Sequence, residues 1–439
     1  MSGRTPELVI LAVIATLTVG ALLLGGGGST AGTSAGAATA RGAGVSPARI
    51  ARIERRVEAL RDLRFEHPVP VAIVSPAQAR REGLAEYDRS QPVAQRYENQ
   101  ELLMLLGLLP PSADLRQIES DVFGEQVAGY YDPRRKRLAL VRGAGVDDVT
   151  LAHELTHALE DQHADLGKLG AGGGDDAATA QQALVEGTAT LVMERYAARW
   201  PSEAPLGDAL AGLTQVTGAT PLPPYIARTL VFPYFQGERF VQALRDADGG
   251  GWRLVDVAER ERPPQTTAEI LDPSRWLRAQ QPVAVSLAAA QAAMSAAGGW
   301  RRLSSSTLGE EDLAALLAPQ SDPLAARELT QGWRGGRYAL WRRGRLVDRD
   351  CFAPCRSRDV VVLAIRMESA RQARALLSPL SSWLRGALHA KSEGRPPWAL
   401  RDGGFAAAVT ESRQSPTVRV AMAPTRALTL RLVRSRRVG

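Results

Sequence analysis

The sequence feature that most constrains this chain is His153-Glu154-Leu155-Thr156-His157, an H-E-x-x-H pentapeptide set in a run with helical periodicity. On a helix, residues i and i+4 share a face, so the two imidazoles project together and can hold one Zn²⁺. Glu154 is rotated by one residue, where its carboxylate can take a proton from a water that the metal has acidified without ligating the metal itself. An amphipathic helix could carry these letters by accident. However, the chain has only five His, and three of them fall between positions 153 and 163. That clustering favours a metal site.

A catalytic zinc keeps three protein ligands and one open position. Two residues compete for the third place. His163 follows His157 by six residues, a spacing that works only if the helix ends between them. Glu160, a good helix former, stands where a break would be needed. If the helix continues, six steps of about 100° leave His163 roughly 120° away from His157 and unable to ligate. Glu186 lies on a second helical stretch, in Leu184-Val185-Glu186-Gly187-Thr188-Ala189-Thr190. A carboxylate in such an apolar and small-residue run is costly unless paired, and Gly187 and Ala189 would let this helix approach the first. Glu186 is therefore the expected third ligand.

The rest of the chain frames this centre. The uncharged run Leu8–Leu24 reads as a signal anchor or a signal peptide over residues 1–24, with anchoring favoured because no cleavage site is well placed. Residues 25–45 form a Gly/Ala/Ser/Thr linker. The expected location is thus the cell membrane with the bulk of the chain extracytoplasmic, or secretion if the leader is removed. Folded sequence begins with a helix from Ser46-Pro47 to about Leu63, then a strand at Val69–Val74 and a helix from about Gln91 to Leu108. Two β-rich runs flank the turn Asp132-Pro133, and the second feeds into the H-E-x-x-H helix, capped by Asp147 or Asp148. A strand edge beside the metal is a place where an extended peptide can add. Asp175-Asp176 can start the helix carrying Glu186, and a further helix from Pro224 to about Arg245 would be kinked or broken at Pro233. Thr267–Leu271 reads as a short helix.

From about residue 280 the character changes. Ala/Ser-rich helical sequence leads to strands at Gly336–Trp341 and Val360–Ile365, a helix from Glu368 to Ala390, and strands at Phe405–Thr410, Val418–Ala423 and Leu428–Val433. The expected organisation is an α+β domain over 46–280 and a smaller α+β domain over 281–439. Lone His389 in the second domain reads as structural or exposed. Cys351 and Cys355 cannot complete a zinc site alone; outside the cytoplasm they would form a local disulfide, inside it two thiols.

The net charge of +7 invites a nucleic-acid reading, but only three of the 54 basic residues are Lys, and no basic run with interleaved aromatics occurs. No nucleic-acid partner is expected.

His153, Glu154 and His157 followed by Glu186 resemble the gluzincins, zinc peptidases with an H-E-x-x-H helix and a downstream Glu ligand. The chain also resembles a group of uncharacterised exported bacterial proteins sharing H-E-L-T-H-A-L, a following D-Q and a later E-G-x-A-T. That second resemblance extends to Gly129–Pro133, Phe232–Gly237 and Pro264–Pro273, and so covers about 120 to 280. It implies a zincin-like fold, with a twisted sheet over the metal helix and a helical lower half. It also implies His153, His157 and Glu186 as ligands and Glu154 as general base. Thermolysin-like gluzincins place an Asp four residues after the Glu ligand, whereas this chain has Thr190. Tyr234 and Arg239 are the available candidates for a transition-state donor. The expected function is a membrane-tethered or secreted zinc metallopeptidase acting on peptide or protein substrates. A non-catalytic envelope scaffold that binds a partner through its C-terminal domain is the alternative, and a zinc hydrolase of non-peptide amides a third.

Overall fold

The computed structural model describes residues 45–118, 120, 128–168, 174–201, 222–320, 322–345, 351, 353–388, 391–393, 399–402, 405–412 and 415–434. The apolar run 8–24, the linker up to residue 44, and His389 lie outside the described residues. The fold is mixed α+β.

The chain enters through helix α1 (Pro47–Arg61), started by Ser46, whose hydroxyl accepts from Arg49 N, with Pro47 at the first position. Strand β1 (Val71–Val74) leads to helices α2 (Pro76–Ser90) and α3 (Val93–Leu105). Strands β2 (Gly129–Asp132) and β3 (Arg137–Val141) form a hairpin around the expected Asp132-Pro133 turn. With β1 parallel to β3, they make a three-stranded sheet of order β1-β3-β2, which leaves β2 at an edge.

Helix α4 (Asp148–Ala164) carries the H-E-x-x-H sequence. Asp147 caps it by accepting from Thr150 N at 2.6 Å, and Arg49 and Arg52 of α1 each reach Asp148 at 2.5 Å. An acidic first turn facing the helix dipole and two guanidinium groups fixes where this helix begins. Helix α5 (Asp175–Arg199) packs on it, and helix α6 (Pro224–Ala247) packs on α5. Of the two outcomes expected at Pro233, the break does not occur: α6 continues through it with Phe232, Pro233 and Tyr234 all buried, and tertiary packing outweighs one missing N–H. Short helices α7 (Arg253–Arg260), α8 (Thr267–Leu271) and α9 (Pro273–Leu277) complete this half.

The C-terminal half contains α10 (Ala288–Ala297), β4 (Trp300–Thr307), α11 (Glu310–Leu317), α12 (Pro323–Thr330), β5 (Trp333–Arg343) and β6 (Asp359–Met367). It continues through α13 (Ala370–Ala375), α14 (Leu377–Leu388), β7 (Lys391–Glu393), β8 (Ala399–Asp402), β9 (Phe405–Glu411), β10 (Thr417–Ala423) and α15 (Arg426–Arg434). Its strands form one antiparallel seven-stranded sheet of order β4-β5-β6-β10-β9-β8-β7. Three expectations need correction here. Leu428–Val433 is helix, not strand: Thr429, Leu432 and Val433, at i, i+3 and i+4, are the buried face, and the Thr429 hydroxyl donates to Ala406 O at 3.1 Å. Residues 300–307, read as part of a helical stretch, form strand β4. The helix expected over 368–390 is two, α13 and α14. Cys351 and Cys355 are joined in a disulfide.

One core gathers α1, the small sheet and α4 to α7, while a second is built on one face of the large sheet. Leu102 to Leu109 belong to that second core, beside Leu340, Leu363 and Trp383. Trp383 Nε1 donates to Leu106 O at 2.9 Å, and Arg342 pairs with Glu101 at 2.9 Å. Helix α3 therefore ties the two halves together across residue 280.

Behind the H-E-x-x-H helix, fully buried Arg61 joins Glu160 of α4 to Asp256 (2.6 Å) and Glu259 (3.2 Å) of α7, with its guanidinium 4.5 Å from the Trp252 ring centroid. Removing the cation leaves Glu160 and Glu259 buried together without a counter-charge. Arg61→Met is expected to lower unfolding free energy by about 3–5 kcal/mol in denaturant titration. A loss below about 1 kcal/mol would show that these carboxylates find other partners.

Candidate metal centre

Helix α4 runs unbroken through His157 to Ala164, so His153 and His157 do share a face. Helix α5 lies alongside and delivers Glu186 to that face. His153 Nε2 is 3.0 Å from His157 Nε2, Glu186 Oε2 is 3.3 Å from the first and 3.4 Å from the second. All three side chains are buried. Ligand atoms held at about 2.0–2.1 Å around a tetrahedral ion stand about 3.3 Å apart, so this triangle has the size that a zinc ion requires. Neither carboxylate oxygen of Glu186 has a hydrogen-bond partner among the described residues. A fully buried carboxylate left in that state is expensive, and a cation answers it.

The charge states agree with a place for a cation. Burial drives the His153 pKa down to about 4, overcoming the pull of Glu186, so this imidazole is neutral and free to donate a lone pair. For His157 burial also works downward, but the Glu186 carboxylate outweighs it and raises the pKa. Burial pushes Glu186 upward, and His157 and His153 more than reverse that.

Glu154 is not a member of the triangle. Its Oε2 accepts from the Tyr131 N–H of edge strand β2 at 2.7 Å, which aims the carboxylate from the sheet side. Burial raises its pKa to about 8, with His157 and the Tyr131 N–H opposing. The Tyr131 hydroxyl donates to Asp161 at 2.7 Å, and Lys136 reaches both oxygens of Asp161 at 2.8 Å. The hairpin is thereby clamped to α4 at two levels. Sequence reasoning did not find Tyr131 because the group that matters is a backbone N–H.

Thr190, at the position of the thermolysin-like Asp, has a buried hydroxyl with no partner, and neither His153 Nδ1 nor His157 Nδ1 has one among the described residues. The outer support of the imidazoles therefore differs from that arrangement. Of the two donor candidates, Tyr234 is buried with its ring centroid 6.3 Å from that of His153, whereas Arg239 is exposed. His163 stands apart: its Nε2 lies 2.7 Å from Arg64 O and its Nδ1 3.6 Å from Glu66. Glu186→Ala is expected to lose bound zinc while His163→Ala keeps it. Metal analysis showing the reverse would move the third ligand to His163.

Gly187, after Glu186, serves a different neighbour from the one expected. A Cβ on Gly187 would lie 2.1 Å from the Gly237 carbonyl carbon of α6, and one on Gly237 would lie 1.9 Å from Ala183 O. Gly187 thus admits α6 instead of α4. The pair brings the two helix backbones into contact next to Glu186, and Tyr234, one turn before Gly237, comes to His153 by the same contact.

A family model described as a domain of unknown function (DUF8575) matches residues 295–432, which span the large sheet and leave the metal centre outside the match. No curated protein and no solved structure matches the chain.

Proposed function

We propose that this chain is a gluzincin-type zinc metallopeptidase with a zincin-like catalytic half, exported and held at the membrane by its N-terminal apolar run or released by cleavage. The observation that carries this reading is the triangle of His153 Nε2, His157 Nε2 and Glu186 Oε2 with edges of 3.0–3.4 Å, with Glu154 beside it but outside it. A bound zinc would supply Lewis-acid polarisation of a carbonyl and a water acidified to near neutrality. Glu154, oriented by the Tyr131 N–H, takes the water's proton and passes it to the leaving amine. Strand β2, at the edge of its sheet, borders the same side and holds Glu154 through the Tyr131 N–H. The Cys351–Cys355 disulfide supports an oxidising location. No helix among the described residues is long and apolar enough to cross a membrane, so anchoring rests on the run 8–24.

One observation favours a second reading, a metal-loaded scaffold that binds a partner through its C-terminal half: the ligands and Glu154 are all buried, at 0–1% exposure. Incubating the zinc-loaded full chain with a mixed peptide library separates the two. The peptidase reading expects cleavage that a chelator abolishes and zinc restores. Intact peptides in the presence of stoichiometric zinc would leave the scaffold.

A further inference from the structure

Helices α5 and α6 run in the same direction: Gly187 meets Gly237 and, further on, Arg195 donates to Gln242 at 3.1 Å. Before the glycine contact a cavity separates them, closed on the other side by α3, α11 and strands β5 and β6. All its α5 residues precede Ala183 and all its α6 residues precede Tyr234. Asp175, Thr179 and Gln182 line it, and these continue to Glu186 in steps of four, three and four residues along one helix face. Gln182 is one turn, about 6 Å, from the expected metal ligand.

Three properties of the cavity define a ligand. Its walls are largely apolar, with Leu102, Leu103 and Leu106 of α3 among them. It also contains three carboxylates, Asp175, Glu311 and Asp312. Arg228 pairs with Glu311 at 2.5 Å, whereas Asp312 takes the neutral donors Gly309 N–H at 3.0 Å and Tyr225 hydroxyl at 3.4 Å. Asp175 accepts from the Tyr338 hydroxyl at 2.7 Å. Finally, Gln182, only 9% exposed, has an amide nitrogen without a hydrogen-bond partner among the described residues. A buried donor in that state calls for an acceptor on the ligand.

We propose that the cavity receives a lysine- or arginine-like side chain of the substrate, its stem along the leucines and its cationic head at Asp175 and Asp312, with that residue's backbone carbonyl accepting from Gln182 Nε2. The dimensions agree. Seven residues separate Asp175 from Gln182, about 10 Å of helix, close to the reach of an extended basic side chain with its carbonyl. The cavity volume is about 60 Å³, room for roughly four to six waters, comparable to the five non-hydrogen atoms from lysine Cβ to Nζ. At about 3.3 Å per extended residue, the 6 Å from Gln182 to Glu186 places the basic residue within about two residues of the bond presented to the metal. This assignment rests on the peptidase reading for the identity of the ligand as a peptide.

The test uses the zinc-loaded full chain carrying Glu154→Gln, titrated calorimetrically with N-acetyl-lysine N-methylamide and N-acetyl-norleucine N-methylamide. The lysine amide should bind at least about tenfold more tightly, and Gln182→Leu and Asp312→Asn should each weaken it by about tenfold. If Asp312→Asn fails to fold, Gln182→Leu decides. Equal binding of the two amides, no binding of either, or lysine binding unchanged in the variants overturns the proposal. Hydrolysis is read separately with the wild-type chain on peptides differing only in lysine or norleucine. Cleavage without preference removes the cavity assignment and leaves the peptidase. Selective lysine binding without any cleavage removes the peptidase and leaves the cavity.

Discussion

Glu154→Gln should bind zinc like the wild type and lose about 10²–10⁴ in kcat, the range that general-base catalysis contributes. The asymmetry follows from position. Glu154 is one residue off the ligand face of α4 and is held by the Tyr131 N–H, so it adds nothing to the triangle of His153, His157 and Glu186. The amide keeps the shape of the carboxylate, and its oxygen can still accept from Tyr131. It cannot take a proton. Parallel metal analysis and peptide hydrolysis check both halves. Unchanged turnover would place the activity elsewhere, and lost zinc would make Glu154 a ligand.

A second large effect is expected at a residue that touches no metal. Gly187→Ala drives a methyl to 2.1 Å from the Gly237 carbonyl carbon and 2.3 Å from its oxygen, where neither partner is a flexible side chain. Overpacking of this kind costs about 1–3 kcal/mol, occasionally more, and backbone against backbone belongs at the upper end. The helices can separate only by moving α5 at the residue next to Glu186. Gly187→Ala should therefore lower the thermal midpoint and weaken zinc binding together, and Gly237→Ala, which meets Ala183 O at 1.9 Å, should do the same. A wild-type melting curve with full zinc content would show that α6 does not approach as closely as described.

These two predictions differ in how far the sequence alone reaches. The H-E-x-x-H helix, its Asp147 cap and the Glu186 candidate are local patterns: i, i+4 spacing, a capping residue, and a carboxylate in an apolar run. The contact of Gly187 with Gly237 joins positions fifty residues apart, and nothing in the local pattern of either says which helix it admits. Tyr131 contributes through its main chain, which any residue but proline could supply. Leu428–Val433 was ambiguous for another reason. Its leucines alternate as in a strand, yet Thr429, Leu432 and Val433 are spaced as on a helix face, and six residues are too few for either period to prevail. The run Leu102–Leu106, apolar on every side, does signal burial on more than one face. That it bridges into the core of the large sheet emerges only in three dimensions.

Whether His153, His157 and Glu186 form one zinc site is decided by elemental analysis of the purified full chain. The wild type should carry about one zinc per chain and His153→Ala close to none, since two remaining ligands rarely hold the ion. A metal-free wild type purified with zinc present, or a His153→Ala chain that keeps its zinc, would contradict it.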